Sequence, residues 1–330
     1  GGMTNPMHAP RGNRENGQMG PTAVSPQHAC ETFADETIAF LREPHPTPFF
    51  AYLAFDGPHD PHIVPDDYPV RYDPEQIPLP ANFLPQHPFD NGEMTIRDEQ
   101  LLPWPRTSVD IRRMLADYYR YVSYLDLLIG RVLDTLDASP AANNTFVVFS
   151  ADSGVARGSH GLIGKQNLYE HSLRVPLLVA GPGLPANQNT AALCYLFDVL
   201  PTLGGLCGVT GPKTSEGRDL GPTLRDPTQP ARTSLLFAYQ KVQRALRDER
   251  YKLIRYPQVN RTQLFDLTTD PDERTDLSAR PEQAARVATL TAALAAEMKR
   301  LDDPAELTIA SPRPAPWSPP AAKSATPKTR

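Results

Sequence analysis

The run FSADSGVARGSHGLIGKQNLYE, residues 149–170, sets a carboxylate, a hydroxyl, an imidazole and an ammonium on one glycine-rich stretch: Asp152, Ser153, His160 and Lys165. It follows the apolar segment Val147, Val148, Phe149, and loops at the ends of buried strands are where α/β proteins keep ligand and catalytic groups. A carboxylate there can meet a hard cation, and it can equally cap the next turn. Lys165 can neutralise an anion as a point charge, although loop lysines are commonly just solvated. His160 can donate a proton or hold the loop by hydrogen bonds; the second use is the expectation. His59, in GPHDPH, follows the apolar run PFFAYLAF and should open onto the same strand-end face, where it would protonate a leaving oxygen. Its neighbours Asp60 and His62 could form a metal pair, a reading weakened because Pro58 and Pro61 forbid helical ligand spacing. An acid, a histidine and a lysine converging on one pocket suit hydrolysis of an anionic ester.

The elements that must position these groups follow from apolar periodicity. Residues 32–43 carry helical spacing at Phe33, Ile38 and Leu41, and residues 48–55 read as a fully buried strand. Residues 56–105 form a proline- and aspartate-rich connection far longer than routine, suited to lining a substrate cleft. Thr107 and Asp110 have capping-box spacing before a long amphipathic helix that Pro140 ends. Strands are expected at 145–152 and 175–181, and apolar strands separated by helices predict an α/β fold with a mostly parallel sheet. A short helix over 198–207 closes that part. Residues 234–239, 243–256 and 263–267 follow one another with short turns and predict antiparallel pairing in a smaller C-terminal α+β unit, finished by a helix near 281–301. The expected organisation is an irregular lead-in over 1–28, a catalytic part over 29–210, the α+β unit over 211–302 and a disordered Pro/Ala/Lys tail over 303–330.

Composition narrows the partners. A net charge of -5 with scattered lysines and arginines gives no basic footprint for nucleic acid. The three cysteines, Cys30, Cys194 and Cys207, have no CxxC spacing, so neither a zinc cluster nor a disulfide framework is indicated. No apolar stretch approaches the roughly 20 residues of a membrane span, and no oligomeric state is implied.

In residues 32–280 the segments PFFAYLAFDGPHDPH, YYRYVSYLDLLIGRVLDTLD, NNTFVVFSADSGVARGSHGLIGKQNLYEHSLRVPLLVAGPG, FDVLPTLGGLCGV and ALRDERYKLIRYPQVNRTQLFDLTTDPDERTDL resemble sulfatases of the alkaline phosphatase superfamily, in the family's order. They are most similar to bacterial choline-sulfatase and iduronate-2-sulfatase types. The resemblance implies an alkaline-phosphatase-like α/β fold and hydrolysis of a sulfate monoester, either a small molecule or a carbohydrate. It implies attack by a formylglycine hydrate made from a Cys or Ser in a C/S-x-P-x-R motif, with Ca2+, or alternatively Mg2+, polarising the sulfate. Carried over by motif, Asp152 and Ser153 would bind the metal, Lys165 would contact the sulfate and the leaving group, His59 would bind the sulfate, and His160 would line the substrate site. A periplasmic or secreted location goes with the resemblance.

Two departures matter. Where the family usually has His or Asn after the metal-binding acid, Ser153 offers a neutral hydroxyl, which calcium accepts. No cysteine or serine here opens the nucleophile motif, and the family's paired N-terminal aspartates and first strand are missing, as is an apolar signal region in GGMTNPMHAPRGNRENGQMG. The expectation is therefore a fragment with little turnover alone, set against a non-catalytic anion-binding domain and a phosphodiesterase or phosphonate hydrolase of the same superfamily.

Overall fold

A computed structural model describes residues 27–320. The described residues divide into two compact units, one from residues 27–78 with 109–145, the other from 79–108 with 146–320. These boundaries differ from the expected division at 210/211, because the stretch 79–108 of the long connection belongs with the glycine-rich loop and the C-terminal sheet.

The first unit is built on two helices. Helix α1 spans Ala29–Arg42 and starts where His28 accepts the Cys30 amide on its ring, 3.1 Å away, so residue 28 already belongs to the ordered unit rather than to the lead-in. Helix α2, Ser108–Asp137, runs for 30 residues. Tyr121, Tyr124, Leu125 and Leu128 of α2 bury against Cys30 and Ala34 of α1 and against Val64. The 3.6-residue period explains which side chains go inside and why Val122, one step off that face, stays 40% exposed.

Residues 48–55 of this unit do not form a paired strand. Phe50 and Tyr52 are 78% and 83% exposed, so the fully buried strand expected from their hydrophobicity is corrected to an unpaired extended segment. Hydrophobicity marks what gains by burial; it cannot supply the neighbouring strand that does the burying.

The second unit begins with strand β1, Val147–Ser150, helix α3, Glu170–Leu173, and strand β2, Leu177–Ala180. β1 and β2 are antiparallel, with Ser150 opposite Leu177 and Val147 opposite Ala180. The glycine-rich run is thus the closing connection of one long hairpin, latched where the Ser150 hydroxyl donates to the Pro176 carbonyl at 2.7 Å. The expected parallel pairing is not found among the described residues, whose sheets are antiparallel. Phe149 and Leu178, partners across the pair, are exposed.

Helices α4, Val199–Cys207, and α5, Gly221–Arg225, lead into strands β3 (Ser234–Tyr239), β4 (Gln243–Asp248), β5 (Tyr251–Tyr256) and β6 (Arg261–Asp266). They form one antiparallel sheet in chain order. The single run 243–256 seen in the sequence is two strands, because Asp248 accepts the amides of Arg250 and Tyr251 and closes a tight turn. Helix α6, Ala284–Arg300, packs Leu290, Leu294 and Met298 on Leu246, Leu253 and Leu264. The opposite face of the sheet, with Ala245, Ile254 and Phe265, shares a core with Phe89, Leu162, Leu168 and Tyr169.

The tail expected to be disordered is an ordered strap over residues 303–320; residues 321–330 lie outside the described residues. Asp90 donates its amide to the Ala315 carbonyl at 2.8 Å, Gln86 reaches the Trp317 carbonyl at 3.1 Å, and the Trp317 ring meets Trp104 edge-on at 5.5 Å. Proline keeps such a segment extended, and its aromatic residue gives it something to bury.

Candidate functional site

The loop that carries Lys165 is built almost entirely from its own backbone. Ala156, Arg157 and Gly158 donate their amides to the carbonyls of Gly164, Ile163 and Leu162, so the run folds back on itself as a short ladder. At the tip, Arg157, Gly158, His160 and Gly161 take positive φ. Gly161 is required there: a Cβ would lie 2.2 Å from the Gln86 carbonyl carbon. The tip is bound to the long connection through a bridge between Phe83 and Ser159 and through the His160 amide, which donates to the Asn82 carbonyl at 2.8 Å.

His160 is 6% exposed. Its ring stacks on Tyr169 with centroids 3.9 Å apart, and Asn82 donates to Nε2 at 3.1 Å. Burial pushes its pKa down to about 3, with His87 and Lys252 nearby adding to the effect. The ring is therefore neutral and holds the loop, as the hydrogen-bonding use of this residue anticipates.

Lys165 is half-buried. Its amide donates to the Gln166 side chain at 3.0 Å, while no hydrogen bond or ion pair engages its ammonium among the described residues. Two acids flank Lys165, Glu99 holding the backbone before it and Asp98 the Gln166 side chain after it. Glu99, 3% exposed, accepts the amides of Ile163 at 3.0 Å and Gly164 at 2.9 Å, and the Arg106 guanidinium donates to it at 2.9 Å. Burial raises the Glu99 pKa, opposed by these donors. Asp98 accepts from the Gln166 amide at 2.8 Å.

Asp152 is exposed just beyond β1, and Ser153 beside it is half-buried. The chain is fixed immediately afterwards: Gly154 donates to the Ser172 carbonyl at 3.0 Å, and a Cβ at that position would sit 1.9 Å from the His171 carbonyl oxygen. Two oxygen donors are a small part of the roughly six to eight that calcium takes, and no group of three or more His, Cys, Asp or Glu gathers elsewhere among the described residues. By themselves Asp152 and Ser153 do not make a metal centre.

His59 belongs to the first unit. It is half-buried, with Nδ1 2.8 Å from the Asp60 carbonyl and 3.4 Å from the Asp60 carboxylate, between the cis peptides Gly57–Pro58 and Asp60–Pro61. His62 lies edge-on to Tyr118 and Tyr121. The structure thus brings Asp152, Ser153, His160 and Lys165 onto one hairpin, and holds His59 in the turn that follows the extended segment of the other unit.

The sequence reading missed the residues that anchor this hairpin. Lys252, fully buried on β5, reaches Glu170 at 3.0 Å and Glu273 at 2.5 Å; Glu273 also accepts the Glu170 amide, and Arg247 donates to the Glu170 carboxylate. Alternation along YKLIRY gives no sign that its lysine points inward. Glu99 lies in a stretch without periodicity, and only the pairing partner reveals its use.

The hairpin loop, the helices and the C-terminal antiparallel sheet define an alkaline-phosphatase-like fold. Among solved structures it is similar to a 2-O GAG sulfatase, at 25% identity and a TM-score of 0.70 over 84% of this chain and 65% of that one. The Silicibacter pomeroyi phosphonate monoester hydrolase shares the fold at 23% identity and a TM-score of 0.70, over 81% and 59%. The Sulfatase family model matches residues 5–209, and the model for the C-terminal region of N-sulphoglucosamine sulphohydrolase matches residues 158–301. The chain belongs to the sulfatase family. It is 31% identical over 255 residues to a choline-sulfatase of Rhizobium meliloti, covering 74% of this chain and 49% of that protein; it spans about half the length of that relative. Among the described residues no helix is long and apolar enough to cross a membrane.

Proposed function

We propose that this chain is the part of a sulfatase that grips the sulfate group and the leaving-group oxygen of a sulfate monoester. The observation that carries the reading is the Lys165 ammonium, unengaged and half-exposed on a loop whose amides from Ala156 to Lys165 are hydrogen-bonded. A fixed point charge placed where negative charge gathers needs no reorganisation during reaction, which is how such groups lower a barrier. His59 is proposed, by family resemblance, as a sulfate-binding group, its ring oriented by Asp60. Calcium, with magnesium as the alternative, is the proposed cation for Asp152 and Ser153, and it would polarise the sulfate when bound. Names among the relatives and structures, such as Delta 4,5-hexuronate-2-O-sulfatase and 2-O GAG sulfatase, support a sulfated carbohydrate as the substrate, and a periplasmic or secreted location goes with that proposal.

This sequence contains no family nucleophile motif: none of Cys30, Cys194, Cys207 or the serines opens a C/S-x-P-x-R motif. Losing the nucleophile removes the chemical step rather than slowing it. Purified chain assayed with p-nitrophenyl sulfate in calcium, with and without co-expressed formylglycine-generating enzyme, is expected to stay at background. Robust turnover would refute the assignment of a binding half without its nucleophile, and turnover of a phosphonate monoester in the same assay would favour the phosphonate hydrolase reading.

A further inference from the structure

Lys165 is one end of a chain of contacts that begins far away in sequence. Glu99 sits in a 3-10 turn, Asp98–Leu101, within the long connection. Its carboxylate takes the two amides immediately before Lys165, and Asp98 takes the side chain immediately after it through Gln166, whose own oxygen accepts the Lys165 amide. The turn therefore brackets Lys165 on both sides. Gly164 leaves the space this needs: a Cβ there would meet the Gln166 oxygen at 2.6 Å, Asp98 Cβ at 2.9 Å and the Glu99 oxygen at 3.2 Å.

The bracket is itself held. Arg106 donates from one terminal nitrogen to both the carbonyl and the carboxylate of Glu99, at 2.8 and 2.9 Å, and from the other to the carbonyls of Leu102 and Pro103. Its guanidinium lies 4.1 Å from the Trp104 ring centroid, and Trp104 is met by Trp317 of the C-terminal strap. Glu99 spends its carboxylate on loop amides and one arginine. A buried carboxylate so committed has little left to offer a ligand, and its effect must act through what it holds.

We propose that Glu99, assisted by Asp98, is the positioning residue that fixes the Lys165 ammonium for an anionic ester. It is not a contact to substrate. The inference rests on the sulfate-binding reading of Lys165, but the hold on the loop can be measured without it. Glutamine at position 99 keeps one acceptor oxygen but turns an NH2 group toward donors, either the loop amides or Arg106, so it cannot serve both.

The test uses the full chain in four forms: unaltered, Lys165→Met, Glu99→Gln and Asp98→Ala. Amide hydrogen exchange is followed at residues 163–166 and in β4 and β5, and inorganic sulfate is titrated against the Gly164 and Lys165 amide resonances. For Glu99→Gln, exchange at 163–166 is expected to rise at least tenfold with β4 and β5 unchanged, and sulfate affinity to fall about tenfold. Lys165→Met should lose sulfate with its loop exchange unchanged. Exchange within twofold of the unaltered chain, or loosening with undiminished sulfate binding, would overturn the positioning role. If sulfate binds the unaltered chain and Lys165→Met equally, or neither, the reading of Lys165 fails, while the exchange result still decides whether Glu99 holds the loop. Should Glu99→Gln not fold, Asp98→Ala carries the test: about threefold faster exchange at 165–166 and a matching loss of sulfate affinity are expected, and no change in either overturns the proposal.

Discussion

The two histidine- and lysine-bearing segments are held in opposite ways. Around Lys165 the backbone is paired amide by amide, glycines stand where any side chain would collide, and a fully buried lysine ties the following helix to the C-terminal sheet. The segment leading to His59 is extended and unpaired over residues 48–55, with Phe50 and Tyr52 turned to solvent. The first region carries its own scaffold within the chain. In the second, local hydrogen bonds orient the imidazole while Phe50 and Tyr52 of the apolar run before it stand exposed, although Phe55 packs on the helical core. A rigid charge can be built by one hairpin and its neighbours; a strand cannot be built by one strand.

The sharpest way to break this contrast is at Lys252. Replacing it with Met leaves the buried Glu273 carboxylate without its cation while Glu170 keeps Arg247, a change that should cost roughly 3–5 kcal/mol. Urea unfolding followed by tryptophan fluorescence checks this, since both Trp104 and Trp317 lie in the second unit. A loss below about 1 kcal/mol would mean that the hairpin does not depend on the pair.

Acid should attack the same region next. His87 is completely buried, with Nδ1 2.7 Å from the Phe89 carbonyl and Nε2 3.0 Å from the Tyr169 hydroxyl, and burial pushes it from 6.5 down to about 4. Below about 6.5 the unfolded chain takes up a proton at this position that the folded chain refuses until about 4, so stability is full above 6.5 and falls as pH drops through that window. For His87 alone the loss is on the order of 3 kcal/mol; His160 and His171, both depressed by burial, act in the same direction. A series of urea melts between pH 7 and 4 should show the decline, and His87→Gln should flatten it.

The smallest effect is expected in the other region. Tyr52→Ser, at a side chain 83% exposed, should change stability by no more than about 0.5 kcal/mol. A larger destabilisation would show that residues 48–55 are covered and would erase the contrast.

What was legible before any coordinates was local, for a physical reason: local chemistry is written locally. Glycines at 154 and 161 mark close approach, apolar recurrence marks the long helix although not the face that Tyr121, Tyr124 and Leu128 bury, and the C-terminal strands announce themselves by short turns, with 243–256 reading as one run where the structure has two strands. The order of the strap was hidden because a proline-rich composition says nothing about whether a surface waits for its tryptophan. Glu99 was hidden because a single acid in an aperiodic stretch looks the same whether solvated or buried against two amides.

By itself, then, the sequence determined the helices, the C-terminal hairpins, the family and the candidate groups Asp152, Ser153, His59, His160 and Lys165, since each depends on residues close together along the chain or on a motif in fixed order. Only the tertiary structure decided that β1 and β2 run antiparallel, that His160 is a neutral strut, that residues 303–320 wrap the second unit, and that Glu99 and Lys252 anchor the loop around Lys165. Those outcomes depend on which distant segment supplies the hydrogen-bond partner or counter-charge, and pairing across space is set by the packing of the whole rather than by neighbours in sequence.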